Sequence, residues 1–117
     1  MNRMFQQTYH IPGTLTANLE IISTVPADCQ LVHVSAGNTA DSDATFSIGT
    51  TADTDAYLLS SAVGGLKVPA EFERTDFVGD QYPHLSDGDK LEIAVDFDGA
   101  GGVAAADLTI VLTFTEG

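Results

Sequence analysis

Helix-forming runs, tryptophan, paired cysteines and basic side chains are all scarce or missing in this 117-residue chain. No stretch repeats apolar residues at i, i+3, i+4 and i+7, and Gly, Thr, Ser and Asp crowd every candidate window. A helical bundle is therefore excluded. No apolar run approaches the roughly 18–20 residues that a membrane-spanning helix needs. The single cysteine, Cys29, can make no internal disulfide and no thiolate metal cage. In "DCQLVHV" it alternates onto one face of a strand and reads as a buried, inert thiol. Only Arg3, Lys67, Arg74 and Lys90 oppose 17 acidic residues, for a formal net charge of −13. That balance repels nucleic acid and anionic membranes, so neither is expected as a partner. With no Trp and only Tyr9, Tyr57 and Tyr82 scattered along the chain, an aromatic platform for sugars is hard to assemble.

What remains is a polar, β-forming chain. Its hydrophobic fraction of 44 % is too high for disorder. Its length suits one domain, residues 1–117, with one core. The opening "MNRMFQQTYHIPG" lacks the apolar core of a secretory signal, so a soluble chain with nothing directing export is expected. Period-two alternation dominates. In "DKLEIAVDFDG", Leu91, Ile93, Val95 and Phe97 point one way, while Lys90, Glu92, Ala94, Asp96 and Asp98 face water. In "ADLTIVLTFTEG", Leu108, Ile110, Leu112 and Phe114 point inward. The glycine-rich "DGAGGVAA" between them suggests an antiparallel hairpin.

Earlier segments alternate less cleanly. "MFQQTYHI" is stopped by Pro12-Gly13 and reads either as the first strand or, over residues 1–13, as an extended arm. "LTANLEIIST", "CQLVHVSA", "ATFSIGT" and "AYLLSS" follow, separated by Gly, Pro, Asn and Asp clusters. In the pair around residues 44–59, Phe46 and Ile48 on one side and Tyr57 and Leu59 on the other are expected in the core. The acidic run Thr50-Thr51-Ala52-Asp53-Thr54-Asp55 becomes the exposed turn between them. Residues 63–87 hold no sustained period and are expected to form an excursion with one short strand or helical turn. Short strands with no helices between them predict an all-β antiparallel sandwich, jelly-roll-like, of about eight strands.

Chemistry is thin. The pairs Asp41/Asp43, Asp53/Asp55, Asp87/Asp89 and Asp96/Asp98 put two carboxylates on one strand face or turn. None extends to the D-x-[DN]-x-[DN]-G loop that wraps calcium, and hydrated turns are the simpler reading. His10, His33 and His84 have no nucleophile or metal-helix spacing beside them. Paired acids arise by chance in so acidic a chain, and "DGAGGVAAAD" lacks the lysine of a phosphate cradle. No catalytic residue, metal ligand or cofactor is expected.

Three stretches carry a resemblance: "FSIGTTADTDAYL", "AEFERTDFVGDQYPHLSDGDKLEIAVDFDGAG" and "ADLTIVLTFTEG". Together, over about Cys29 to Gly117, the chain resembles capsid decoration (cement) proteins of tailed bacteriophages. The resemblance implies a non-enzymatic structural protein made in the host cytoplasm and carried on the virion, on the capsid exterior. Its implied partners are the major capsid protein and its own copies, as a homotrimer. On this reading Met1, Arg3, Met4 and Phe5 at one end of the chain would make capsid or subunit contacts. So would Phe72, Arg74, Phe77 and Tyr82 in and beside the loop 67–81. The rival expectations are a carbohydrate- or receptor-binding sandwich module of a fibre or secreted protein, and a small hydrolase using His33 or His84.

Overall fold

The computed structural model describes residues 3–116, and the chain folds as two packed antiparallel sheets. Nine strands follow one another: β1 (Met4–Thr14), β2 (Leu19–Thr24), β3 (Cys29–Gly37), β4 (Thr45–Gly49), β5 (Leu58–Ala62), β6 (Ala70–Phe72), β7 (His84–Leu85), β8 (Lys90–Asp96) and β9 (Ala106–Glu116). Two single-turn 3-10 helices, at Arg74–Asp76 and Val78–Asp80, lie between β6 and β7. The first sheet has the order β1-β9-β3-β6, with β7 also on β3, and the second has the order β2-β8-β4-β5. Apart from β4–β5 and β6–β7, which stay within one sheet, each connection crosses from one layer to the other, as in an antiparallel sandwich.

The alternation seen in the sequence becomes the core. Leu108, Ile110, Leu112 and Phe114 of β9 and Leu91, Ile93 and Val95 of β8 are all at most 2 % exposed. They meet Leu31, Val34, Phe46, Ile48 and Leu58 from the facing strands. Phe5 stacks on Phe114 with ring centroids 4.9 Å apart, and Phe72 meets Phe46 edge-on at 5.5 Å.

Three local expectations are corrected. The strands β8 and β9 do not form a hairpin: β8 pairs with β2 and β4, and β9 pairs with β1 and β3. The connection after Asp96 crosses between the layers and is tied down by Asp43, whose carboxylate accepts the Val103 N–H at 2.9 Å. Alternation tells which face of a strand is buried but not which sheet receives it. In β5 it is Leu58 that is buried, whereas Leu59 is 59 % exposed, because an irregularity in the β4–β5 ladder shifts the register by a residue. Glu92, expected in water on β8, is 5 % exposed. It pairs with Gly49, over which the 50–56 turn folds back.

Candidate interaction surface

From Met4 onward the N-terminal segment is strand β1, not a free arm, paired without a break to β9 from Met4↔Thr115 to Ile11↔Leu108. The Arg3 carbonyl accepts the Glu116 N–H at 2.7 Å. Met4 is 66 % exposed, and Phe5 is half-buried against the core. Met1 lies outside the described residues.

The excursion between β6 and β7 sits at the same end of the sandwich, beyond the opposite edge of the first sheet. Glu73 and Asp76 lock its first 3-10 turn by a reciprocal capping box. Arg74 is exposed and reaches the Asp80 carbonyl at 3.5 Å. Phe77, expected as a surface contact, is corrected to a core residue at 2 % exposure. The excursion has no apolar period of its own, and Phe77 anchors it to the sandwich. Phe72 and Tyr82 are half-buried. An open cleft of about 300 Å³ is lined by Val32, His33, Glu73, Arg74, Thr75 and Tyr82. His33 enters it because the β3–β9 ladder is irregular between Leu31 and His33, and its Nε2 lies 3.5 Å from a Glu71 oxygen. The structure thus brings Arg74 and Tyr82 together and leaves Arg3, Met4 and Phe5 on the far edge of the sheet.

The acidic run 50–55 is a self-contained turn. The Thr50 N–H donates to the Asp53 carbonyl at 2.8 Å, and the Asp53 N–H donates to Thr50 Oγ1 at 3.0 Å. The Ser47 hydroxyl donates to the Thr54 carbonyl at 2.9 Å. The carboxyl of Asp55 is pushed above its usual range by its hydrogen bond to Asp53 and then by that neighbour's charge. Asp87 and Asp89 bracket a turn with Gly88 at φ 90°, where the Asp89 carboxylate accepts the Ser86 N–H at 2.9 Å. Among the described residues no three His, Cys, Asp or Glu side chains converge as metal ligands would.

Elsewhere the charges are placed by backbone donors. Asp107 accepts the Gly13 N–H at 2.8 Å and the Thr39 hydroxyl at 3.1 Å. These bonds, the backbone one first, hold its carboxyl below the usual range. Burial pushes the Cys29 thiol up, aided by the charges of Asp28, Asp89 and Glu116. Burial also raises the Tyr57 phenol, with Asp89 adding to the effect.

Sequence reasoning missed one feature, the tip Gly65-Leu66-Lys67-Val68. It is a two-residue turn closed by the Val68 N–H to the Gly65 carbonyl at 3.0 Å. Leu66 and Lys67 both take positive φ, 50° and 68°, in a conformation that Asn and Gly prefer. Leu66 and Val68 are 65 % and 67 % exposed. Bonds from the Leu66 and Lys67 N–H groups to the Ala40 and Asn38 carbonyls hold the tip in place. The only sequence signal was "GGLKVP", a glycine pair and a proline around two apolar residues.

No family model matches the chain, and no curated protein matches it. Among solved structures it is similar to a chain of the "Cyanophage Pam1 capsid asymmetric unit", with a TM-score of 0.59 at 15 % identity. The likeness covers 99 % of this chain and 85 % of that one. At that identity what is shared is the fold.

Proposed function

We propose that the protein is a structural component of a phage-type virion that docks on the outside of the capsid shell, binds the major capsid protein and cements the lattice without catalysis. The observation that carries this reading is the likeness of the entire chain, and not of a fragment, to a chain of a phage capsid asymmetric unit. The physical character of the molecule supports it. A rigid body whose excursion and long connections are pinned by backbone hydrogen bonds loses little entropy on docking. Its charge of −13 complements a basic shell surface. A ligand that binds the assembled shell and not its separated subunits stabilises assembly by mass action. Copies joined to one another would multiply modest contacts.

The test is shell rupture. Capsids stripped of accessory proteins should break at a higher temperature after addition of this protein, and the gain should saturate at a fixed number of copies per shell. An unchanged rupture temperature at saturating protein would refute the proposal.

One observation favours a second reading. The cleft beside Tyr82 combines an aromatic face with Arg74, Glu73 and His33, a lining suited to a sugar. Glycan-array binding that is lost in Tyr82→Ala, together with no affinity for stripped capsids, would replace the cementing role with a carbohydrate-binding one.

A further inference from the structure

We infer that the free edge of β1 is a self-pairing surface: two copies join antiparallel, β1 to β1, about a two-fold axis through Gln7, into one continuous sheet. The inference stands on the edge itself and does not depend on the virion reading.

Among the described residues β1 is the outermost strand of its sheet and pairs only with β9. Antiparallel ladders alternate between residues that bond to the partner and residues whose N–H and C=O point away. The Glu116 N–H bond to the Arg3 carbonyl fixes the phase. Phe5, Gln7, Tyr9 and Ile11 bond to β9, while the backbone groups of Met4, Gln6, Thr8 and His10 point outward. Among the described residues no other backbone group reaches them. Strand edges are ordinarily blunted by lysine, proline, inward charges or bulges. β1 has none of these from Met4 to Ile11, where its register is unbroken. Pro12 comes only after the open stretch.

Charge decides the occupant. Every acidic residue of the chain lies at or beyond Glu20, and no Asp, Glu, Lys or Arg falls between Met4 and Thr14. On the outer face of the sheet, Gln6, Thr8 and His10 sit opposite Thr113, Val111 and Thr109, again without formal charge. Two bodies of charge −13 repel wherever carboxylates would meet, so a second copy is admitted along this neutral strip. A basic partner would find its complement elsewhere on the molecule.

The strip is also self-complementary. A single register gives all four outward residues a partner: Met4 opposite His10 of the second copy, and Gln6 opposite Thr8. On the inner side the same register sets Phe5 beside the other copy's Tyr9 and the two Gln7 amides face to face. Aromatic cross-strand pairs of this kind stabilise sheets. Phe5 and Tyr9 are only half-buried in the single chain, so pairing would cover the apolar surface they leave open. The contact is isologous and closes at two copies.

The test combines mass and amide exchange. Light scattering on the full chain across micromolar to millimolar concentration should show twice the monomer mass of 12.3 kDa at the upper end. In the dimer the amides of Gln6, Thr8 and His10 should exchange as slowly as those of Phe5, Gln7 and Tyr9. On dilution they alone should become fast. Thr8→Pro deletes an outward N–H and spares every bond to β9. Each dimer then loses two ladder bonds, and the dimer should weaken by roughly thirtyfold. Gln6→Lys, a substitution on an exposed strand position, should do likewise and covers the case in which the proline disturbs folding. A mass of one copy at millimolar concentration would overturn the inference, and so would a closed trimer. A dimer that survives both substitutions with the Gln6, Thr8 and His10 amides still fast would overturn it too.

Discussion

At Gly49 the fold has no room for a side chain. A Cβ there would collide with the Asp53 carbonyl oxygen, because the acidic turn folds directly over the strand end. Gly49→Ala must displace backbone and should cost about 2–4 kcal/mol, measured by denaturant unfolding. In the same turn, the raised Asp55 carboxyl means that ionisation is less favourable folded than unfolded. Its contribution is therefore present below the unfolded value of about 3.9 and lost as pH rises. Asp55→Asn should raise the melting midpoint at pH 7, and the gain should vanish in acid. Asp107 has the opposite sign: its lowered carboxyl stabilises above about pH 3.9 and the benefit is lost as pH falls. Asp107→Asn, which keeps a residue tolerant of φ 51°, should lower the midpoint at neutral pH and converge with the wild type at low pH. The tip offers a gain of its own. Replacing Leu66 and Lys67 by Asn and Gly should relieve about 1–3 kcal/mol of backbone strain and raise the unfolding midpoint.

At the scale of strands, which residues are inward was legible and which strands are neighbours was not. Leu91, Ile93, Val95, Leu108, Ile110, Leu112 and Phe114 all reach the core that their period-two spacing implied. Ile93→Asp or Leu112→Asp should abolish folding, since an unpaired charge at either buried site costs several kcal/mol. A soluble, cooperative Ile93→Asp protein would contradict the register. The pairing of β8 and β9 in different sheets has no local signature, because a connection rich in glycine can either turn or cross. The excursion between β6 and β7 was equally opaque. Its buried residues, Phe77 and Pro83, have no period to announce them. The candidate surface was legible in part: Arg74 and Tyr82 converge on one cleft, while the exposed Leu66 and Val68 tip depends on a turn type that its residues do not favour.

For the whole molecule, charge and fold divide the work. The sandwich supplies a stiff body, and its acids lie beyond β1, in loops, turns and strand positions that include the second sheet. Self-repulsion among these acids destabilises the compact state, so added salt should raise the melting midpoint of the isolated protein. Attachment to a basic shell should weaken over the same range of salt. The most direct measurement is co-sedimentation with accessory-free capsid shells, set beside the same subunits unassembled. Saturable binding to shells, with at least roughly hundredfold weaker binding to free subunits, is the predicted result. Equal affinity for both, or no affinity for shells at any salt concentration, would contradict a cementing role.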